Sequence, residues 1–92
     1  MPGQRTPSSE AVNLHVRRQL AAAIHDWIIT NDWTQAEAAS KLDVSQPRIS
    51  HLASGQIERF SVDALLNMAA KAGLHIELTV TSAATASKGV RP

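Results

Sequence analysis

The segment from Thr34 to Gly55 carries the start and stop signals of two short helices in close succession. Thr34 is a residue type that caps helix N-termini, and Glu37 three residues later completes the capping-box pattern. Ser45 offers a second N-cap, with Pro47 in the first turn, where a missing backbone N–H costs least. Gly55 can adopt the left-handed conformation that ends a helix. The pattern predicts two short helices joined by a tight turn.

Small and apolar side chains occupy the positions where these two helices should meet. Ala39 lies on the inner face of the first helix, where a larger side chain would force the pair apart. Val44, within the turn at 43–45, fills the space beneath that turn. Ile49 and Leu52 attach the second helix to the rest of the core. Two helices held at a fixed angle, with the second projecting from the surface, form a helix-turn-helix.

A long amphipathic helix precedes this pair, and a fourth helix follows it. The first helix ends at Asn31-Asp32 and has apolar residues at three- and four-residue steps. These are Val12, Val16, Leu20, Ala23, Ile24, Trp27 and Ile28. Ser61 caps the fourth helix, and Gly73 ends it. We therefore predict an all-α bundle of four to five helices.

The pattern changes after the fourth helix, where Ile76, Leu78 and Val80 alternate with polar residues. Alternation with a period of two predicts a short strand. A lone strand has unpaired edges, and the simplest remedy is an antiparallel ribbon with the same strand of a second copy. We therefore expect these three residues to form a homodimer contact. The alternative is a C-terminal segment that packs loosely on the helices.

Composition limits the function classes open to this chain. Its 92 residues, of which 43% are hydrophobic, suffice for one modest core. The absence of cysteine excludes disulfides, thiolate metal sites and cysteine nucleophiles. Its four histidines are scattered, and it has neither a metal-binding spacing nor a glycine-rich phosphate loop. We therefore expect no enzyme activity, no cofactor and no metal ion.

The two ends differ in composition from the segment between them. Residues 1–8 lack apolar periodicity and predict a flexible arm, and residues 82–92 are small and polar and predict a disordered tail. The folded domain is expected over residues 9–81. No apolar run is long enough to cross a membrane, and the N-terminus lacks the apolar core of a secretory signal. We therefore expect a cytoplasmic protein.

The segment WTQAEAASKLDVSQPRISHLASGQ resembles the helix-turn-helix of the phage repressor and Cro (XRE) superfamily. Gln35 opens the first motif helix and Gln46 opens the second, eleven residues later, as is typical of that superfamily. Over residues 16–80 the chain is similar to the HigA-like antitoxin branch. The resemblance implies a lambda-repressor-like bundle with a short C-terminal strand. Asp43 stands where many members have glycine, and aspartate tolerates left-handed geometry better than most residues.

The resemblance also implies which residues would meet DNA. The second motif helix would enter the major groove. Its predicted base-reading residues are Gln46, Arg48, Ser50 and His51, with glutamine suited to adenine and arginine to guanine. Other polar residues would contact the DNA backbone. These are Thr34, Gln35, Ser45, Gln56, Arg59 and Ser61.

Three functions follow as alternatives. The first is a sequence-specific repressor that binds a palindromic operator as a dimer. The resemblance makes it the antitoxin of a RelE-type ribonuclease toxin and an autoregulator of their shared operon. We expect the exposed Arg17, Arg18 and His25 side of the long first helix, or the flexible ends, to contact the toxin. The second is a stand-alone phage-type regulator. The third is a protein-interaction module that has lost DNA binding, which the net charge of only +1 favours slightly.

Overall fold

Four α-helices and one 3₁₀ turn form the part of the chain that the computed structural model describes, residues 9–81. In chain order these are α1 (Ser9–Thr30), α2 (Gln35–Leu42), α3 (Gln46–Ala53), the 3₁₀ turn (Ile57–Arg59) and α4 (Val62–Lys71). The prediction of an all-α bundle with four to five helices is confirmed. The predicted N-terminal arm and C-terminal tail lie outside the described residues.

The start signals in the sequence act as predicted. Thr34 and Glu37 form a reciprocal capping box, in which each side chain accepts a hydrogen bond from the backbone N–H of the other residue. Ser45 caps α3 by accepting from the Arg48 backbone N–H, and Ser61 caps α4. Each of these caps contributes about 1 kcal/mol to helix stability.

The turn between α2 and α3 has the left-handed geometry expected at its first residue. Asp43 has φ 57° and ψ 46°, and its backbone N–H donates to carbonyls at the end of α2. Its carboxylate also pairs with the Lys71 ammonium at 3.2 Å, which connects the turn to the end of α4. Both side chains are exposed to solvent, so this pair adds little stability.

The core lies where α1, α2, α3 and α4 converge, and it is built almost entirely from aliphatic side chains. Ile24, Leu42, Ile49 and Leu65 are the largest fully buried side chains, and each comes from a different helix. Burial of one such side chain stabilises the fold by about 1.5–3 kcal/mol. Trp27 and Trp33 pack edge to face at the margin of the core, with ring centroids 4.5 Å apart.

Two residues of the predicted apolar stripe on α1 are exposed rather than buried, namely Val12 and Ala23. The 22-residue α1 is about 33 Å long, whereas the 10-residue α4 that packs against it is about 15 Å long. The first turns of α1, with Val12, therefore extend past the bundle. Ala23 lies instead in an open groove that α1 shares with α4.

The predicted C-terminal strand is not formed within the described residues 9–81. Residues 74–81 leave α4 after Gly73, whose φ of 76° ends the helix, and belong to neither helix nor strand. A strand is defined by backbone hydrogen bonds to a neighbour. Nothing within residues 9–81 offers that neighbour, so the pairing of Ile76, Leu78 and Val80 with a second copy stays a prediction.

Candidate nucleic-acid interface

The outward face of α3 follows from which of its residues are buried. Successive residues of an α-helix are turned by about 100°, and both Ile49 and Leu52 face the core. Pro47 lies opposite the midpoint of these two directions, so it is the residue that points most directly away from the core. Ser50 and His51 flank it on the same face. Pro47 and Ser50 are exposed, and His51 is half-buried.

A shallow depression of about 450 Å³ lies where the first turn of α2 meets the outward face of α3. Four side chains line it: Gln35, Gln46, Pro47 and Ser50. Three of them, all except Pro47, are residues that the sequence predicted for contact with bases or the DNA backbone. The structure thus brings residues from the starts of both motif helices onto one surface.

Arg48 occupies the opposite flank of α3, towards the start of α4. Its Nη1 donates to the carbonyl oxygen of Arg59 at 3.1 Å, and its guanidinium carbon lies 4.5 Å from the Phe60 ring centroid. The ring is buried, and the guanidinium covers its face. The predicted guanine-reading side chain is therefore held against the connection between α3 and α4.

His51 presents one ring nitrogen to the protein and the other to its surroundings. Its Nδ1 is buried and has no hydrogen-bond partner. The half-buried ring therefore has Nε2 as its accessible polar atom. A single ring nitrogen is thus available for contact with another molecule.

The predicted DNA-backbone residues lie on both sides of α3. Thr34 and Gln35 are at the start of α2, next to the depression, and Ser61 caps α4 beyond the 3₁₀ turn. Ser45 lies between them as the cap of α3. In all three capping residues the hydroxyl oxygen accepts a backbone hydrogen bond. Each hydroxyl proton therefore remains available for donation.

Gln56 and Arg59 form a short chain of hydrogen bonds beside the end of α3. Arg59 Nε donates to Gln56 Oε1 at 2.6 Å, and Gln56 Nε2 donates to Ser54 Oγ at 2.9 Å. Both polar atoms of the Gln56 side chain therefore orient its neighbours. This arrangement fixes the direction of the exposed Arg59 guanidinium, which uses only Nε in the bond to Gln56.

Comparison with known families agrees with this geometry. The family model of a helix-turn-helix domain matches residues 7–81. The chain belongs to this helix-turn-helix family. A solved structure described as an XRE family transcriptional regulator is 25% identical, with a TM-score of 0.75 over 90% of this chain and 93% of that chain. The predicted membership of the XRE superfamily is thereby confirmed. A search of curated proteins finds no match.

The helix-turn-helix domain has a second surface feature, formed by α1, α4 and the segment after α4. A groove of about 400 Å³ is lined by apolar residues of all three, including Leu20, Leu66 and Ile76. Leu78 lies at the same groove and is 77% exposed, and Val80 is 82% exposed. These predicted dimer residues are therefore apolar, accessible and next to further apolar surface.

The structure gives two residues a place that the sequence did not predict. Arg17 was expected on an exposed face, but its Nη1 donates to the backbone carbonyls of Ile57 and Phe60 at 3.2 and 3.5 Å. Pro47 lies at the centre of the outward face, whereas the start signals in the sequence indicate only its role as a helix-start residue. The helical phase set by Ile49 and Leu52 is the sequence signal that could have identified it.

The described part of the domain shows no features of two other site classes. None of its helices is long and apolar enough to span a bilayer. Within residues 9–81, no three histidine, aspartate or glutamate side chains come together as a potential metal site.

Proposed function

We propose that this helix-turn-helix domain is a sequence-specific DNA-binding transcriptional regulator that represses its own promoter. The observation that carries the proposal is the polar outward face of α3. It is flanked by the start of α2 on one side and by the connection to α4 on the other. In helix-turn-helix proteins the second motif helix occupies the major groove while neighbouring helix starts meet the backbone. The XRE-family regulator that shares this fold supports the same assignment.

Three residues are proposed to read bases from the outward face. The exposed Gln46 amide is suited to the paired donor and acceptor of adenine. Ser50 can donate or accept and fits either kind of base edge. His51 is proposed to hold its proton on Nε2, because a buried N–H without an acceptor at Nδ1 would be the costlier arrangement. It would then donate to a purine N7 or to a phosphate oxygen.

Arg48 is proposed to read guanine, and this role requires the guanidinium to leave its present contacts. Separation from the Phe60 ring costs about 0.5–1 kcal/mol, and the hydrogen bond to the Arg59 carbonyl is worth about 1 kcal/mol. A bidentate contact with guanine returns about 1–3 kcal/mol of discrimination. The free energy lost with the internal contacts is therefore similar to that gained from the contact with guanine. We expect Arg48 to contribute less specificity than Gln46.

The remaining polar residues are proposed to hold the DNA backbone on both sides of α3. Helix starts favour phosphate because their backbone N–H groups and dipoles present partial positive charge. The hydroxyl groups of Thr34, Ser45 and Ser61 can donate to phosphate while they continue to cap their helices. Gln35 would act beside Thr34, and Arg59, oriented by Gln56, would act on the other side.

A homodimer is proposed to place two copies of α3 on a palindromic operator. Ile76, Leu78 and Val80 alternate with polar residues and are exposed on a segment that has no backbone partner among residues 9–81. Antiparallel pairing of this segment with its copy would satisfy the backbone groups and cover the adjoining groove between α1 and α4. Residues 82–92 contain Val90 as their one large apolar residue and are poorly suited to fill the groove themselves.

The antitoxin role is the finer part of the proposal, and it is based on the similarity of residues 16–80 to HigA-like antitoxins. The chain would neutralise a RelE-type ribonuclease toxin, and the complex would repress the shared operon. Arg17 is engaged internally, whereas Arg18 and His25 line a shallow depression between α1 and the end of α3. Co-purification with the product of an adjacent gene tests this role. A gene without such a neighbour favours the stand-alone regulator.

Selection from a random DNA library tests the DNA-binding function. The full chain should enrich a palindromic sequence and bind it in the presence of excess non-specific competitor. Gln46→Ala should weaken this binding by about 1–3 kcal/mol and relax the preference at one base pair per half-site. Thr30→Ala, at the exposed end of α1, is the matched control and should bind like the native chain. No enriched sequence, or competition that removes all binding, would favour the protein-interaction module.

A further inference from the structure

Pro47 is the one apolar side chain at the centre of a polar surface. It is the second residue of α3 and is exposed, and the helical phase directs it away from the core. Its role as a helix-start residue explains why proline is tolerated there, since the N–H of that position has no partner within the helix. Helix initiation alone does not explain why an apolar ring occupies the most outward position.

The place of Pro47 in this surface points to an apolar feature of the ligand. In the depression that it shares with Gln35, Gln46 and Ser50, Pro47 contributes the one apolar side chain. Pro47 also removes one of the free N–H groups at the start of α3, so this helix start is a poorer phosphate site than that of α2. Contact at this point is therefore more suited to a base edge than to the DNA backbone.

Among the groups that bases expose in the major groove, the one apolar substituent is the 5-methyl group of thymine. We propose that Pro47 is a specificity-determining residue that contacts a thymine methyl group. The thymine lies in the base pair read by Gln46 or in an adjacent one, because Gln46 and Pro47 are consecutive and line the same depression. This inference deepens the proposed DNA-binding function and rests on it.

Replacement of thymine by uracil removes the methyl group and leaves the Watson–Crick edge unchanged, so the test does not disturb the protein. Each thymine of the selected sequence is replaced in turn, and affinity for the full chain is measured by fluorescence anisotropy. One replacement, within one base pair of the position where Gln46→Ala relaxes the preference, should weaken binding about fourfold per half-site. A fourfold change in affinity corresponds to the burial of one methyl group.

The Pro47→Ala variant connects the methyl effect to this side chain. Alanine keeps a helix-compatible residue at the second position, and circular dichroism verifies that the variant is folded. The variant should reduce the difference between the thymine and uracil duplexes, because alanine offers one methyl group in place of the proline ring, whereas Thr30→Ala should keep the fourfold difference.

The possible failures are distinguishable. An enriched sequence that depends on Gln46 but has no methyl effect near that position overturns this inference alone. A methyl effect that is undiminished in Pro47→Ala overturns it as well. Failure to enrich any sequence overturns both this inference and the proposed DNA-binding function, since a methyl-reading surface would itself enrich thymine.

Discussion

The α2–α3 pair and the groove between α1 and α4 differ in how completely their apolar surface is buried and their backbone groups are hydrogen-bonded. In the pair, both helix starts are capped, the turn is closed, and the apolar faces are buried. At the groove, apolar side chains line an open space, and the segment after α4 has no backbone partner in the described part of the chain. The α2–α3 pair exposes polar side chains over a packed interior. The groove and the segment after α4 expose apolar side chains and unpaired backbone groups.

This difference indicates what each region meets. A polar surface built from capped, rigid helices is suited to hydrogen bonds with a ligand that stays in water until it binds. An exposed apolar groove next to an unpaired segment is suited to burial against another chain. The proposed ligand is therefore DNA at the first region and a second copy at the other, and substitutions in each region test that division.

The largest effect is expected at the groove. Leu78→Asp should separate the dimer, because each dimer loses the burial of two leucine side chains. This amounts to about 3–6 kcal/mol, or at least about 100-fold in the dimer dissociation constant. Sedimentation equilibrium measures the change. Ile29→Asp is the matched control, since Ile29 is 63% exposed on α1 and does not line the groove. Equal dimer dissociation constants for the two variants would contradict the assignment of the groove.

The next effect concerns the core beneath the α2–α3 pair. Ile49→Ala should reduce the free energy of unfolding by about 2–5 kcal/mol, because Ile49 is almost completely buried and its loss leaves a cavity. Chemical denaturation followed by circular dichroism measures this loss. Ile29→Ala serves as the control and should change stability by less than about 0.5 kcal/mol. Similar losses in both variants would mean that α3 is not anchored as described.

A smaller effect is expected where α3 is attached to the start of α4. Arg48→Ala removes the contact with the Phe60 ring and the hydrogen bond to the Arg59 carbonyl. The free energy of unfolding should fall by about 1–2 kcal/mol. Arg48→Lys keeps the positive charge and should lose about half as much. If Arg48→Ala alters operator affinity without any change in stability, Arg48 acts only as a base reader and not as an attachment of α3.

The smallest effect is expected at the capping box of α2. Thr34→Ala removes the acceptor for the Glu37 backbone N–H and should reduce the free energy of unfolding by about 1 kcal/mol. Thr34→Ser keeps the hydroxyl group and should restore most of that stability. Thermal denaturation of the two variants provides the comparison. Equal melting temperatures would show that the cap does not stabilise α2 in the folded chain.

Local signals in the sequence predicted the helix-turn-helix better than they predicted the direction of its side chains. The capping residues Thr34, Ser45 and Ser61 act through neighbours three residues away, so their roles are visible in sequence. The positions of Arg48 and Pro47 depend on which face of α3 is buried and on contacts with a distant segment. Arg48 could be placed only once Phe60, twelve residues later in the chain, was known to lie beside it.

The groove and the segment after α4 illustrate a second reason for incomplete prediction. The alternation of Ile76, Leu78 and Val80 is plain in the sequence, but a strand requires a partner that residues 9–81 do not supply. Likewise, the apolar stripe of α1 did not reveal that Ala23 would face an open groove. Periodicity identifies an apolar face, and the molecule that covers this face has to be found by other means.

NMR chemical-shift mapping tests the division between the two regions most directly. The isotope-labelled full chain is titrated with the selected duplex, and backbone amide shifts are followed residue by residue. We expect the largest changes to cluster at Gln35, Gln46, Ser50 and His51, with little change at Leu20, Leu66 and Leu78. Changes concentrated along the groove, with the outward face of α3 unaffected, would contradict the claim that α3 is the DNA-binding surface.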